Sequence, residues 1–126
     1  MSRSKMRVGY KIWLSNNGKA FGEGPYLLLQ GIAKTGSLRQ AAIEMGMSYR
    51  KAWGILKECE KKLGFTLIER KVGGSSGGYS KITPSGHELM KHYGQFCDDI
   101  KKSIDNAFHK NLETFVKGQK TGHLRT

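Results

Sequence analysis

The stretch SLRQAAIEMGMSYRKAWGILKECEKKL, residues 37–63, contains two short helical patterns separated by Gly46 and Met47. Each pattern begins with a serine, Ser37 or Ser48, whose hydroxyl can accept a hydrogen bond from a backbone N–H of the first helical turn. Gly46 supplies the left-handed stop between the two patterns. Two helices joined by so short a glycine-containing turn indicate a helix-turn-helix motif.

The apolar residues of both patterns recur at helical spacing, which predicts one buried face on each helix. Gln40 follows Ser37 by three residues and completes a capping-box pattern. The small Ala41–Ala42 pair would let another helix approach closely. The predicted buried residues of the two helices are Leu38, Ala41, Ala42 and Met45, then Ala52, Leu56, Cys59 and Leu63.

Three elements are predicted before the motif. Residues 7–14 alternate, with Val8, Tyr10, Ile12 and Leu14 on one face, which is typical of a half-buried strand. Asn16-Asn17-Gly18 is a hairpin turn signal, and residues 19–21 form a short returning strand. A helix over residues 25–35 follows and ends at Gly36, with Pro25 in its first turn. Its predicted core face consists of Leu28, Leu29, Ile32 and Ala33.

After the motif, FTLIERKV (65–72) and YSKIT (79–83) are strand-like. Thr83-Pro84 combines an N-cap with a proline at the first helical position, so a long helix begins there. Gly94 weakens this helix without ending it. The helix runs to about residue 116 and leaves a basic tail.

The glycine-serine run KVGGSSGGYSK, residues 71–81, allows three interpretations: a linker, a phosphate-binding loop or a hairpin tip. A linker does not fit, because the segments on both sides belong to one domain. A phosphate-binding loop does not fit either, because Tyr79 stands where the required lysine should be and a strand follows. The run is therefore predicted to be a hairpin tip, either in contact with a partner or simply exposed to solvent.

The long helix carries an apolar stripe over roughly 30 residues, too long for one small domain to cover. We expect a second copy of the chain to cover it, the alternative being that the helix folds back on its own domain. The residues predicted to form this dimer contact are Leu89, Tyr93, Phe96, Ile100, Ile104, Phe108 and Leu112.

The composition limits the class of function. The chain has 126 residues and a net charge of +12, which is enough for one domain and favours an anionic partner: DNA, RNA or a membrane surface. A basic surface without a partner is the plain alternative. No run of 18 apolar residues and no signal sequence are present, so we expect a cytoplasmic protein without membrane contact.

The same composition gives no sign of catalysis or of a cofactor. Cys59 and Cys97 lie in helical patterns and are predicted to be reduced core residues. The four histidines show no ligand spacing with them, so no metal site is predicted. No nucleophile elbow, HExxH helix or close pair of carboxylates in an apolar setting is found, and the chain is predicted not to be an enzyme.

The second helix of the motif is the candidate recognition helix, whose first residues touch base edges in the major groove. Arg50 can bind guanine O6 and N7 with two hydrogen bonds, and Lys51 can do the same or bind a phosphate. Trp53 lies one position after the core residue Ala52, so it either packs or contacts a base. The candidate DNA contacts on the two helices are Ser37, Arg39, Gln40, Ser48, Tyr49, Arg50, Lys51 and Trp53. A solvated helix face is the alternative for any one of them.

Five segments together resemble the N-terminal DNA-binding domain of the ModE-type molybdate-responsive transcription regulators, a winged helix related to that of the LysR family. The segments are SLRQAA (37–42), MSYRKAW (47–53), LGFTLIER (63–70), the GGSSGG tip and ITPSG (82–86). The resemblance covers residues 7 to about 115. SYRKAW together with a glycine-rich wing is more diagnostic than either alone.

The resemblance implies a homodimer with its recognition helix at Ser48–Trp53, a wing at Val72–Ser80 and a long dimerisation helix from Pro84. Wing residues Lys71, Ser75, Ser76 and Lys81 would contact the DNA backbone. Full-length family members carry C-terminal Mop-type molybdate-binding modules, and this chain ends at residue 126 without one. We therefore expect the shorter, stand-alone form, without molybdate binding.

The predicted fold is mainly α with a small β component: a winged helix-turn-helix with an N-terminal β-hairpin and a long C-terminal dimerisation helix. One domain covers residues 1–126: a hairpin (7–22), three helices (25–63), a wing (65–83), a long helix (84–116) and a tail (117–126). The predicted function is a sequence-specific, dimeric regulator that binds double-stranded DNA. The alternatives are a protein-interaction module and a non-specific architectural nucleic-acid binder.

Overall fold

The computed structural model describes residues 6–72 and 78–119, with the side chains of residues 71, 72 and 78 excluded. Backbone contacts divide these residues into two compact units, one of residues 12–93 and one of residues 6–11 and 94–119. The elements are β1 (Trp13–Ser15), β2 (Lys19–Gly22), α1 (Glu23–Thr35), α2 (Leu38–Glu44), α3 (Tyr49–Leu63), β3 (Ile68–Val72), β4 (Gly78–Ile82), α4 (Pro84–Phe108), a π-helical segment (His109–Glu113) and α5 (Thr114–Gly118).

The caps predicted for the helix-turn-helix are present. The Ser37 hydroxyl accepts a hydrogen bond from the Gln40 N–H at 3.0 Å, and the Ser48 hydroxyl accepts one from the Lys51 N–H at 3.0 Å. Gly46 has a φ of 71°, the left-handed conformation predicted for the turn. The capping box is only half formed, because the Gln40 amide points along α2 to the Glu44 carboxylate.

Helices α1 and α2 pack at unusually short range where Gly31 faces Ala41. A Cβ added at Gly31 would lie 2.8 Å from the Ala41 Cβ, closer than real Cβ atoms approach. The expectation that the small Ala41–Ala42 pair admits a close neighbour is thus confirmed.

The core of the 12–93 unit consists of the predicted faces of the three helices with strand residues added. The side chains with at most 2% exposure are Ala20, Phe21, Leu28, Leu29, Ile32, Leu38, Ala41, Ala42, Ala52, Leu56 and Leu67. Ala33, predicted in the core, is exposed because it lies at the edge of the α1 apolar sector, one position beyond Ile32. Met45 and Leu63 stand at helix ends and are half-buried.

The N-terminal hairpin is shorter than the sequence predicts. Asn17 and Gly18 adopt φ values of 55° and 117°, which confirms the turn, but β1 begins at Trp13 and residues 7–12 form no strand. The predicted strand is wrong there because Trp13 pairs with Gly22, the last residue of β2. The chain enters α1 immediately afterwards, so no strand remains opposite residues 7–12.

Strands β3 and β4 form an antiparallel hairpin with Ile68 opposite Ile82. Its base is joined to α3 through Glu60, whose carboxylate accepts hydrogen bonds from the N–H groups of Leu67 at 2.7 Å and Ile68 at 3.2 Å. Since Glu60 takes up these donors, β3 begins at Ile68 and not at the predicted residue 65. The hairpin is also joined to α1, because the Ser80 N–H donates to the Gly36 carbonyl at 3.1 Å.

The start of α4 is fixed by Thr83 and Gly86. The Thr83 hydroxyl accepts a hydrogen bond from the Gly86 N–H at 2.9 Å, as the predicted N-cap requires, and donates to the Thr66 carbonyl at 2.7 Å. A Cβ at Gly86 would lie 2.6 Å from the Leu67 carbonyl oxygen, so only glycine fits. The cap therefore connects α4 to the segment before β3.

The long helix continues through Gly94, as predicted, but its hydrogen-bonding pattern changes at His109–Glu113. The apolar stripe from Phe96 to Leu112 advances in steps of four residues, which over-rotates a stripe on an α-helix. A π-helical segment takes more residues per turn, so it turns the stripe back.

We expect Gly31→Ala to destabilise the protein by about 1–3 kcal/mol, because the new methyl group overpacks the contact with Ala41. Gly54→Ala is the matched control, since Gly54 lies inside α3 with open space around it. There alanine should stabilise the helix by roughly 0.5–1 kcal/mol. Chemical denaturation of both variants measures the two opposite changes; a stabilised Gly31→Ala would contradict the close approach.

Glu60→Gln should destabilise the fold by about 1–3 kcal/mol at pH 7, because two buried N–H donors lose their carboxylate. Burial raises the pKa of Glu60, but the Leu67 N–H, Lys57 and the Ile68 N–H outweigh it and bring the pKa below its ordinary value of 4.5. A lowered pKa contributes stability above the unfolded-state value, and this is lost as the pH falls through the folded-state value.

The difference in unfolding free energy between wild type and Glu60→Gln should therefore be constant near neutral pH and shrink in acid below pH 4.5. Glu58→Gln, an exposed position on α3, should change stability by less than about 0.5 kcal/mol. A pH-independent difference would show that the charge of Glu60 is not what holds the hairpin.

Candidate nucleic-acid interface

The N-terminal turn of α3 presents two cations to solvent. Arg50 and Lys51 are exposed, and neither forms an ion pair with another described residue. The Ser48 cap fixes the start of the helix beneath them. Both side chains are therefore available to an anionic or hydrogen-bonding partner, as the sequence predicts.

Beside this turn lies a group of residues that we call the cation–aromatic cluster: Arg39, Tyr49, Trp53, Lys57 and Arg70. The Arg39 and Arg70 guanidinium carbons lie 4.9 and 5.9 Å from the centre of the Tyr49 ring. Arg70 also lies 5.0 Å from the centre of the Trp53 ring, and the Lys57 ammonium 4.5 Å from it. Cation–π contacts of this kind contribute about 0.5–1 kcal/mol each at exposed sites.

The cluster brings three separate elements together. Arg39 comes from α2, Arg70 comes from β3, and the two rings belong to α3. Within the described chain, Lys57 is paired with Glu60 at 2.9 Å, but the two arginines have no acidic partner. The aromatic rings contact both guanidinium groups without neutralising them, which leaves each arginine able to bind an anion such as phosphate.

The cluster changes the interpretation of Tyr49 and Trp53. Both side chains are half-buried, so part of each ring remains accessible and neither is a full core residue. For Trp53 the sequence left two alternatives, packing or base contact. In the structure its ring face contacts the cations of Lys57 and Arg70. Tyr49 was predicted to contact DNA, and its ring supports both arginines.

Arg70 and Lys57 are the members of the cluster that the sequence did not indicate. Lys57 continues the four-residue spacing from Tyr49 through Trp53 along α3, a signal that could have identified it. Arg70 has no such signal, because only the packing of β3 beside α3 brings it to the rings.

The remaining predicted residues are partly engaged. The hydroxyls of Ser37 and Ser48 accept cap hydrogen bonds, which leaves their O–H groups able to donate to a phosphate. Gln40 is exposed on α2. On the hairpin, Lys81 is exposed and Lys71 pairs with Tyr79 through the backbone. Ser75, Ser76 and the Lys71 side chain lie outside the described residues.

The predicted dimer residues fall into three groups by exposure. Tyr93 is only 4% exposed, its ring contacts Phe21 in a T-shaped arrangement and Tyr26 at a tilt, and its hydroxyl donates a hydrogen bond to the Ile12 carbonyl. It belongs to the core of its own unit, which corrects its assignment to a dimer contact. Further along, Phe96 and Leu112 are 41% and 50% exposed. Leu89, Ile100, Ile104 and Phe108 are half-buried.

Other kinds of site find little support in the described part of the chain. No cluster of His, Cys, Asp and Glu that could hold a metal ion occurs among those residues. Cys59 is a free thiol, and burial, followed by Glu58 and Glu60, raises its pKa to about 11, so it stays protonated at neutral pH. Over the same residues no helix is long and apolar enough to cross a membrane.

Two capped helices around a tight turn, followed by a β-hairpin packed against the second helix, define a winged helix-turn-helix. A family model described as the bacterial regulatory helix-turn-helix protein of the lysR family matches residues 27–87. Residues 27–87 are therefore similar to the helix-turn-helix domain of the LysR family, and this similarity confirms the predicted fold class.

Comparison with individual proteins indicates one kind of regulator. The chain is 32% identical over 106 residues to the molybdenum-pterin-binding protein MopB of Rhodobacter capsulatus, covering 84% of this chain and 39% of that protein. It is 35% identical over 78 residues to the DNA-binding transcriptional dual regulator ModE of Escherichia coli K12, covering 62% and 30%. ModE of Herbaspirillum seropedicae is 40% identical over 65 residues, covering 52% and 24%.

These matches confirm the resemblance to the ModE-type regulators, with the chain spanning less than half the length of each. A solved structure of an OxyR mutant from Corynebacterium glutamicum matches with a TM-score of 0.50 at 22% identity, covering 71% of this chain and 27% of that one. At that identity it supports the fold alone.

Proposed function

We propose that this protein is a transcription regulator that binds a specific double-stranded DNA site as a cytoplasmic homodimer. Helix α3 lies in the major groove and the hairpin at 72–80 follows the sugar–phosphate backbone. The observation that carries the proposal is the pair of unneutralised arginines in the cation–aromatic cluster, next to the exposed Arg50 and Lys51.

The two groups of cations suit two different tasks. Arg50 and Lys51 are exposed on the first turn of α3, where a helix in the major groove meets base edges. Arg39 and Arg70 are held against rings on the flank of the same helix, where the phosphate backbone borders the groove. Base contacts then select the sequence and phosphate contacts fix the position of the helix.

The homodimer is proposed from the exposed apolar residues of α4, the π-helical segment and α5. Phe96, Leu112 and Phe115 are 41–62% exposed, which is unusual for large apolar side chains on one stripe. A second copy of the chain would cover them and set two recognition helices on successive major grooves, roughly 34–36 Å apart.

The names of the ModE relatives support DNA binding and transcriptional regulation for this chain, and a regulator needs no enzymatic activity. The molybdenum named for the relatives belongs to those proteins. That this chain does not bind molybdate stays a prediction.

Arg50→Ala and Arg70→Ala should weaken DNA binding in different ways. A duplex selected by the wild-type protein from a random library, and a scrambled duplex of equal length, are titrated by fluorescence anisotropy at several salt concentrations. Arg50→Ala should lose about tenfold or more on the selected duplex only, since a bidentate base contact discriminates by about 1–3 kcal/mol.

Arg70→Ala should weaken binding to both duplexes alike and reduce the salt dependence by about one phosphate contact. Glu69→Ala, the exposed neighbour of Arg70 on β3, is the control and should not weaken binding to either duplex. If no selected duplex binds more tightly than the scrambled one, sequence-specific regulation is ruled out and the architectural alternative remains.

The double substitution Leu112→Lys and Phe115→Lys should convert the dimer to a monomer, because it places charges in the proposed contact. Its matched control, Gln95→Lys and Asn106→Lys, adds the same charge at exposed positions on the opposite side of the helix from the stripe. Sedimentation equilibrium reports the mass of each variant. A wild-type protein that sediments as a monomer, or a charged double variant that stays dimeric, would contradict the proposed contact.

A further inference from the structure

Gly54 occupies a position for which the fold gives no reason to lack a side chain. It lies in the interior of α3, is exposed, and has no atom within 4 Å of the place where a Cβ would stand. Its φ is not in the left-handed region, unlike those of Gly46 and Gly64 at helix ends. A glycine inside a helix is less stable than alanine, so this position lowers stability without a compensating contact.

Two other helical glycines show what a structural reason looks like. A Cβ at Gly31 would meet Ala41 at 2.8 Å, and one at Gly86 would meet the Leu67 carbonyl at 2.6 Å. Both glycines allow close packing within the domain. Gly54, in contrast, is exposed to solvent and packs against no neighbouring element.

The side of α3 on which Gly54 lies is the side proposed to face DNA. Its position is opposite the buried Ala52 and Leu56. Arg50 is four residues before it and Lys61 seven residues after it, so the three lie along one exposed line of the helix. The cationic side chains of Arg50 and Lys61 thus lie on either side of the bare backbone at Gly54.

We propose that Gly54 is a specificity-determining residue, the point where base edges on the floor of the major groove contact the α3 backbone directly. The inference rests on the proposed function and deepens it. Hydrogen bonds from Arg50 to a base edge require donor–acceptor distances of about 2.9 Å, so they depend on how deeply α3 enters the groove. Long side chains that bind phosphates tolerate a shift of the helix far better.

A methyl group at residue 54 would hold the helix away from the bases while leaving the phosphate contacts in reach. The test compares wild type, Gly54→Ala and Gly54→Leu on the selected and scrambled duplexes by anisotropy, with melting temperatures from circular dichroism. Gly54→Ala should melt about 3 °C higher than wild type. It should nevertheless bind the selected duplex about tenfold more weakly, and Gly54→Leu more weakly still.

Affinity for the scrambled duplex should stay within about twofold of wild type for both variants, since phosphate contacts dominate non-specific binding. Gly24→Ala is the matched control: Gly24 lies in the first turn of α1 with open space around it, and its substitution should leave both affinities unchanged.

The inference is overturned if Gly54→Ala binds the selected duplex with wild-type affinity. It is also overturned if affinity falls equally for both duplexes, because residue 54 would then affect contacts with the DNA phosphates. If Arg50→Ala still shows a lower affinity for the selected duplex in these cases, the proposed function stands and only the role of Gly54 is wrong. If the library yields no preferred duplex, the proposed function fails and the inference fails with it.

Discussion

The contact between the Glu60 carboxylate and the N–H groups of Leu67 and Ile68 determines how the hairpin lies against the recognition helix. A buried carboxylate is stable only when its oxygen atoms are hydrogen-bonded, and these two donors with Lys57 meet that need. The start of β3 is thereby fixed beside α3. Arg70, two residues further along, is then brought over Tyr49 and Trp53. The contact thus contributes both to the position of the hairpin base and to the placement of Arg70 in the cation–aromatic cluster.

The cation–aromatic cluster places positive charges together, and the two arginines in it form no ion pair with a described residue that would stabilise the fold. Arg39 and Arg70 both contact the Tyr49 ring, and neither has an acidic partner among the described residues. Gly54 is a second local cost on the same helix. Local costs at exposed positions around one helix support the proposed binding role, because function commonly accounts for such sites. Arg50 lies on the same exposed line of α3 as Gly54, and the proposed function would place both against the bases.

Local sequence signals predicted the helical part of the fold well, and the reason is physical. Caps, glycine stops and a periodic apolar face act within a few residues, so Ser37, Ser48 and Gly64 could be assigned without any knowledge of the tertiary structure. The alternation over residues 7–14 wrongly predicted a strand from residue 7. A strand also needs a partner, and the partner strand ends at Gly22, opposite Trp13. Tyr93 misled because its spacing on the helix fits a dimer stripe, although its ring lies in the core of its own unit.

The candidate interface divides in the same way. The sequence by itself determined the two capped helices, the exposed cations on the first turn of α3, the glycine stops and the net charge of +12, since each depends on residue type and short-range spacing. Only the tertiary structure decided that Arg70 joins Arg39 over the ring of Tyr49, that Glu60 fixes the hairpin, and that Gly54 has open space where Gly31 has none. These features depend on which elements pack together, and residue spacing along the chain does not encode distances between elements.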